Sequence, residues 1–198
     1  MTRFRNHSNP LSFKHQWEKM KLEQYFKKKQ VLELEIGFGR GKFIEDRAQK
    51  NPKKNIIGIE LRKSITDEVK HRIGDKFQNL ILLHGNGVTF LNEALPDKSL
   101  SRVFLFHPDP WFKNKHHKRR LIGPLFLSSI KKKLKEDGLI CYATDVESLW
   151  IHQKEKLVNA DFEEIKDKKF WEEDFLSHWA SFSKKEKRKQ FYASFRAQ

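Results

Sequence analysis

The sequence predicts one α/β domain, with a mostly parallel sheet covered by helices on both faces. Short apolar runs typical of strands alternate with segments in which apolar residues recur every four positions, as on one face of a helix. The strand segments are continuously apolar, which is typical of parallel strands buried on both sides. No internal repeat or long linker interrupts the 198 residues, so we expect residues 1–198 to form a single domain.

The predicted elements follow one another in a regular order. Residues 1–30 are polar and basic with scattered aromatics, and we expect an arm with a short helix near 15–29. Five strands are then predicted from the runs VLELEI, NIIGIE, LILLH, VFLFH and LICYAT. Helices are predicted between and after them, at residues 41–50, 65–77 and 122–134 and from about residue 147.

The pattern weakens after residue 161. FEEIK and QFYASF have the composition of two further strands. The aromatic-rich stretch FWEEDFLSHWASF is compatible with more than one structure, and KKEKRK is a run of charge. The sequence therefore predicts the end of the domain less firmly than its centre.

The chain is strongly basic, with 41 Lys and Arg residues against 26 Asp and Glu and a formal net charge of +15. A surplus of this size favours a polyanionic partner, because lysine and arginine neutralise phosphates and release counterions. A merely basic surface is the alternative. The clustering of the cations favours a nucleic acid.

Cysteine usage and hydropathy indicate the compartment. Cys141 is the only cysteine, so no disulfide can form within the chain, as is usual in a reducing environment. The N-terminus lacks the apolar centre of a signal peptide, and no apolar run approaches the roughly 20 residues of a membrane span. We therefore expect a cytoplasmic protein without a membrane partner.

A glycine-rich turn joins the first strand to the first helix. Its pattern is GxGxG, at Gly37, Gly39 and Gly41. The dinucleotide fingerprint requires a third glycine at the position of Lys42, so NAD is disfavoured. Because glycine allows backbone to approach a ligand closely, we predict that Gly37 and Gly39 bind a nucleotide-type cofactor. A simple tight turn is the alternative.

Two polar residues follow the next strands. Glu60 ends the second strand, 23 positions after Gly37, where an acid can accept hydrogen bonds from ribose hydroxyls. Asn86 follows the third strand, and its amide can both donate to and accept from an adenine edge. A strand-end acid and a turn asparagine are the structural alternatives.

The stretch FHPDPWFKNKHHKRR follows the fourth strand and combines a rigid acidic corner with a dense basic run. Pro108 and Pro110 restrict the backbone around Asp109, which suits a preorganised site. No carboxylate or cysteine spacing completes a metal site with the histidines, so no metal is expected. We expect the basic residues of the run to contact phosphates: Lys113, Lys115, Lys118, Arg119 and Arg120.

Together, GFGRG, GIE, LFHPDPWFKNKHHKRR and ATDVE resemble the bacterial tRNA (guanine-N7)-methyltransferase family in order and spacing, over residues 31–150. The resemblance implies a Rossmann-like fold that uses S-adenosylmethionine as methyl donor. It also implies methylation of a guanine in the tRNA variable loop, with tRNA as the partner. By the same resemblance, Asp109 is the catalytic residue. The cofactor-pocket positions are Glu35, Glu60, Asn86 and Asp109, and the substrate-contact positions are Lys113 and Asp145.

The chain departs from the family pattern at three places. Asn86 stands where the family usually has aspartate, and His107 replaces a usual aromatic. The family's C-terminal Thr-x-x-Glu motif is missing, since no threonine follows Thr144. We predict that Ser183 and Glu186 take its place in substrate binding. The alternative segment, 177–180, keeps a hydroxyl but loses the acid.

Two other functions stay open at this point. A methyltransferase with a different RNA or DNA target would keep the cofactor site and change the acceptor. A non-catalytic RNA-binding relative would have lost turnover, although retention of Glu35, Glu60 and Asp109 argues against it.

Overall fold

The computed structural model describes residues 8–175 and 178–198, and within them one sheet of seven strands. The strand order is β3-β2-β1-β4-β5-β7-β6. The first five strands run parallel, whereas β7 is antiparallel to both β5 and β6. The strands are β1 Val31–Ile36, β2 Lys54–Glu60, β3 Leu80–His84, β4 Leu100–Phe106, β5 Leu134–Thr144, β6 Phe162–Ile165 and β7 Phe191–Ala197.

Helices cover both faces of this sheet, as predicted. Side chains alternate along each strand, so Ile57 and Ile59 pack on one face of β2 while Ile56 packs on the other. The first face is covered by α3, α4 and α5, and the second by α1, α2 and a π turn at Phe170–Asp174. The helices are α1 Lys42–Lys50, α2 Lys63–Ile73, α3 Gly87–Glu93, α4 Pro124–Lys133, α5 Glu147–Val158 and α6 His178–Lys185.

The short helix α3 is absent from the sequence-based assignment. Its seven residues give too few turns for a four-residue repeat to stand out. The signal that does exist is its cap: Asn86 Oδ1 accepts a hydrogen bond from Val88 N at 2.9 Å. The asparagine beside glycines is therefore the start of a helix.

The predicted helix near residues 15–29 is wrong, since this segment has no regular secondary structure apart from a single 3₁₀ turn at Leu22–Gln24. Its backbone donors are taken by the main domain instead of by a helical ladder. Trp17 N donates to Glu93 Oε2 at 2.9 Å, and Met20 N donates to the Ala94 carbonyl at 2.8 Å. Tertiary contacts thus override the local helical preference.

In the described part of the chain, no helix is long and apolar enough to cross a bilayer.

Candidate functional site

A cavity of about 430 Å³ opens where the parallel strands end. In an open α/β sheet this edge is where ligands bind. Four residues predicted from the sequence line it, each directly after or at the end of a different strand: Gly37 after β1, Glu60 in β2, Asn86 after β3 and Asp109 after β4. The structure therefore brings together residues that lie up to 72 positions apart in the sequence.

The glycine turn has a backbone that other residues rarely adopt. Gly37 has φ 82° and a Cβ added there would meet no atom within 4 Å, so its conformation, rather than crowding, favours glycine. Gly41 has φ 74°, and a Cβ there would lie 2.7 Å from Val69 Cγ1 on α2. Gly37 shapes the cavity, whereas Gly41 allows α1 to pack against α2.

The carboxylate of Glu60 is held on both of its oxygens. Oε2 accepts from Gly39 N at 3.0 Å, and Oε1 accepts from both the backbone N and the Nε of Arg62, each at 3.0 Å. Gly39 thus contacts Glu60 rather than lining the cavity directly. A ligand hydroxyl that binds Glu60 has to share the carboxylate with Arg62.

Arg62 lines the cavity and interacts with the two acidic residues there, Glu60 and Asp109. Burial disfavours its charge, but hydrogen bonds to Glu60 and the charges of Glu60 and Asp109 outweigh burial and raise the pKa of Arg62. The composition gave no indication of this residue, because one arginine among 41 basic residues carries no pattern. The sequence feature that could have indicated its role is its position two residues after Glu60.

Glu35 lies inside β1, buried beneath the turn. Burial, and then the charge of Glu60, raise the pKa of Glu35 to about 8. Its Oε2 has no hydrogen-bond partner among the described atoms. A buried carboxyl oxygen without a donor is costly. Glu35 was predicted to contact the cofactor, but it lies beneath the turn and does not line the cavity.

Glu35 makes the stability of the unliganded protein depend on pH. Its folded pKa lies above its ordinary value of 4.5, so the folded state retains a proton that the unfolded chain releases. The stability that Glu35 contributes is therefore present below pH 4.5 and is lost as pH rises toward 8. We expect Glu35→Gln to gain stability relative to wild type over this window, by on the order of 1 kcal/mol per pH unit. Urea unfolding of both proteins at pH 5, 6.5 and 8 measures the difference, and parallel curves would contradict it.

Asn86 is engaged by the protein on both sides of its amide. In addition to capping α3, it donates from Nδ2 to the Pro10 carbonyl at 2.9 Å. The N-terminal segment is fixed further by Phe13, whose ring meets His84 edge-on with centroids 5.4 Å apart. The cavity wall therefore includes residues that the sequence assigned only to a basic arm, namely Ser8, Pro10, Leu11 and Phe13.

The loop that carries Asp109 is held by the basic run that follows it. Arg120 Nε donates to the Pro110 carbonyl at 2.9 Å, and Arg120 is only 8% exposed. The guanidinium of Arg119 lies 5.0 Å from the ring centroid of Trp111. Both arginines thus maintain the acidic corner, and Asp109 itself is half-buried at the cavity wall.

The basic run is therefore divided by role. Arg120 is a structural residue instead of the phosphate contact expected from the sequence, because its side chain is buried against the loop. Three lysines of the run are exposed, Lys113, Lys115 and Lys118, and Lys118 also borders the cavity. The sequence alone did not show that these lysines are exposed whereas Arg120 is buried.

Asp145 lies after β5 and is bound by the C-terminal segment. Its Oδ2 accepts from Ser183 Oγ at 2.9 Å and from an Arg188 guanidinium nitrogen at 3.3 Å. His107 Nδ1 lies 3.5 Å from Oδ1, which makes Ser183 the firmer contact. Interaction with His107, opposed by burial and supported by Ser183, lowers the pKa of Asp145 well below its usual range.

The structure thus joins two of the predicted substrate residues, Asp145 and Ser183, and leaves the others apart. Glu186 is exposed just after α6, and Lys113 is exposed on the basic loop. None of the four predicted substrate residues lines the cavity. The alternative hydroxyl, Ser177, lies outside the described residues.

Sequence comparison identifies related proteins. A family model described as "putative methyltransferase" matches residues 29–193. A protein of Buchnera aphidicola named tRNA (guanine-N(7)-)-methyltransferase is 42% identical over 124 residues, which cover 62% of this chain and 52% of the relative. One of the same name from Shewanella amazonensis is 42% identical over 123 residues, with the same coverage. The chain spans about half the length of these curated relatives.

Structural comparison confirms the predicted fold class. The 16S rRNA methyltransferase KamB superposes with a TM-score of 0.63 at 12% identity, covering 92% of this chain and 96% of that one. A SAM-dependent methyltransferase from Aquifex aeolicus gives a TM-score of 0.53 at 14% identity, covering 73% and 79%. At these identities the likeness concerns the fold alone.

Proposed function

We propose a function for this chain on the premise that it belongs to the methyltransferase family whose model matches residues 29–193. It transfers a methyl group from S-adenosylmethionine to N7 of a guanosine in the tRNA variable loop. The observation that carries the proposal is the convergence of Gly37, Glu60 and Asp109 on one cavity at the carboxyl edge of the sheet. The relatives' name supplies the acceptor. With tRNA as the substrate, we expect the reaction to take place in the cytoplasm.

The residues around the cavity fit the methyl donor. Its volume of about 430 Å³ is within the range of small-molecule sites. Glu60 lines the cavity and is positioned to accept hydrogen bonds from ribose hydroxyls. When bound, S-adenosylmethionine supplies a methyl group activated by a sulfonium. Glu60 and Asp109 both border the cavity, and their carboxyl groups give it an acidic wall suited to such a cation.

Guanine N7 requires little chemical assistance. It carries a lone pair and no proton, so no general base is needed to start the transfer. The protein has to align the acceptor and offset the positive charge that develops on the base. Asp109 suits both tasks, because its carboxylate can accept a hydrogen bond from guanine N–H groups and its loop is fixed by Arg120 and Pro110.

Asp145 and Ser183 form a fixed polar pair on the substrate side in this proposal. Ser183 is completely buried and holds one oxygen of Asp145, so the carboxylate keeps a single orientation. Ser183 carries a hydroxyl, as does the threonine of the family motif that it is predicted to replace. We therefore assign Asp145 to the acceptor nucleotide and Ser183 to the positioning of Asp145.

The exposed lysines would carry most of the contact with phosphates. Replacing Lys113, Lys115 and Lys118 by alanine together should weaken tRNA binding and lower the slope of log affinity against log salt by about 2 to 3. Filter binding between 50 and 250 mM salt measures this slope. A control triple variant, Lys27→Ala, Lys53→Ala and Lys135→Ala, changes the charge equally at exposed positions near the opposite, amino ends of the strands. Equal slopes for the two triple variants would place the RNA elsewhere.

The acceptor position is tested by mapping the methyl group. Unmodified tRNA is methylated with labelled S-adenosylmethionine, and the chain is then cleaved at 7-methylguanosine by reduction and aniline. One cleavage site in the variable loop is expected, with none after that guanosine is changed to adenosine. Cleavage outside the variable loop, or label in another nucleoside, would favour the alternative RNA target.

A further inference from the structure

Phe112 is an aromatic side chain that the protein leaves in water. It is 69% exposed, the highest value among the large hydrophobic side chains in the described part of the chain. The neighbouring Trp111 is packed, with the Arg119 guanidinium over its ring and His116 against its edge. Two adjacent aromatics therefore have opposite environments, one supporting the loop and the other facing outward.

The exposure of Phe112 does not come from a loose loop. On one side, Arg120 Nε holds the Pro110 carbonyl at 2.9 Å. On the other side, His116 N donates to the Lys113 carbonyl at 2.8 Å, which begins the 3₁₀ turn Asn114–Arg119. Phe112 thus lies between two anchored points, and its ring is presented from a fixed backbone at little cost in chain entropy.

The surroundings of Phe112 indicate the chemistry of its partner. Asp109 and Trp111, immediately before it, line the cavity. The exposed cations Lys113, Lys115 and Lys118 follow it. An aromatic between a small-molecule cavity and a row of lysines matches the single-stranded nucleic acid pattern, in which cations follow the phosphates and aromatic rings stack on bases.

We propose that Phe112 stacks on an RNA base next to the reacting guanosine, and so compensates for the stacking lost when that guanosine enters the cavity. This inference rests on the proposed function. A base that is modified inside a protein cavity must leave its stack, and the nucleotide beside it then exposes a face. Every base has such a face, so Phe112 would favour entry of the acceptor without reading its sequence.

The test compares substitutions that separate a flat ring from bulk hydrophobicity. Phe112→Ala and Phe112→Leu should each weaken tRNA binding by roughly five-fold or more, whereas Phe112→Trp should bind at least as well as wild type. Filter binding gives the affinity, and steady-state kinetics should show the change in KM for tRNA. Affinity for S-adenosylmethionine and the salt slope should stay unchanged, because neither the cofactor cavity nor a charge is altered.

Two controls separate stacking on RNA from a general effect of exposed aromatics and from self-association. Tyr25→Ala removes another exposed aromatic, 51% exposed and near the amino end of β1, and should leave tRNA affinity unchanged. Sedimentation of wild type and Phe112→Ala without RNA measures self-association. If Phe112→Leu binds tRNA like wild type, or if self-association is what changes, the stacking role is overturned.

The proposal and the function on which it rests can fail separately. If wild type forms 7-methylguanosine in tRNA and the Phe112 variants bind normally, only the stacking role falls. If wild type binds RNA in a Phe112-dependent manner but methylates another atom, the stacking role stands and the acceptor assignment falls. If wild type binds no tRNA, both are overturned.

Discussion

Asp109→Ala is expected to lower the rate of methyl transfer by about a hundred-fold or more, the range seen when one preorganised electrostatic group is removed from an active site. The physical reason is that Asp109 is the carboxylate that borders the cavity on a loop restrained by two prolines and anchored by Arg120. Single-turnover kinetics with saturating tRNA and cofactor measure the effect directly.

The loop should survive this substitution, because Arg120 and Arg119 hold it through Pro110 and Trp111. Thermal unfolding of the variant should therefore match that of wild type closely. Asp137→Ala is a matched control, since Asp137 is exposed near the amino end of β5 and does not line the cavity. A variant Asp109→Ala that turns over at the wild-type rate would remove Asp109 from the mechanism.

Glu60→Gln is expected to weaken binding of S-adenosylmethionine by about ten-fold or more, since a hydrogen bond to a charged group contributes about 1.5–3 kcal/mol. The substitution replaces a carboxylate that accepts from Gly39 and Arg62 with an amide that can satisfy fewer donors. Isothermal titration with the cofactor measures the change, and turnover at saturating cofactor should fall much less than the affinity does.

The control for Glu60 is Glu68→Gln, an exposed glutamate on α2 that does not line the cavity. Both variants lose one negative charge, so a general effect of net charge on a cationic ligand would appear in both. Unchanged cofactor affinity in Glu60→Gln would contradict the ribose assignment. Equal losses in the two variants would show that the effect is long-range.

The centre of the fold could be predicted from sequence because its strands are buried on both faces. That burial requires continuous apolar runs such as those of β1 and β2. The helical segments 65–77 and 122–134 show apolar residues every four positions. The predicted alternation of five parallel strands with helices is confirmed. The family resemblance inferred from the motifs is confirmed as well.

The helix wrongly predicted at 15–29 and the missed helix α3 have different physical causes. Residues 15–29 have helical composition, yet Trp17 and Met20 bond to the end of α3 instead of to their own turn. The helix α3 is itself too short to show a period. A local pattern carries no information about a partner 70 or more positions away, which accounts for the wrong helix at 15–29.

The candidate site shows the same limit at the level of side chains. The positions of Glu60 at the end of β2 and of Asp109 in the loop after β4 follow from the alternation of elements, so their placement at one cavity could be predicted. The hydrogen bonds from Asn86 to Pro10 and from Arg62 to Glu60 depend on side-chain conformations in the folded protein, which the sequence pattern does not specify. The hydrogen bond from Ser183 to Asp145 was not predicted, because the sequence assigned both residues to substrate binding without pairing them.

The measurement that tests the central claim most directly is methyl transfer from labelled S-adenosylmethionine to unmodified tRNA. Wild type and Asp109→Ala are assayed side by side, and the labelled nucleosides are then separated and identified. We expect the label in 7-methylguanosine with wild type and at least a hundred-fold less of it with the variant. Label in another nucleoside, or no label from a wild-type protein that still binds the cofactor, would contradict the claim.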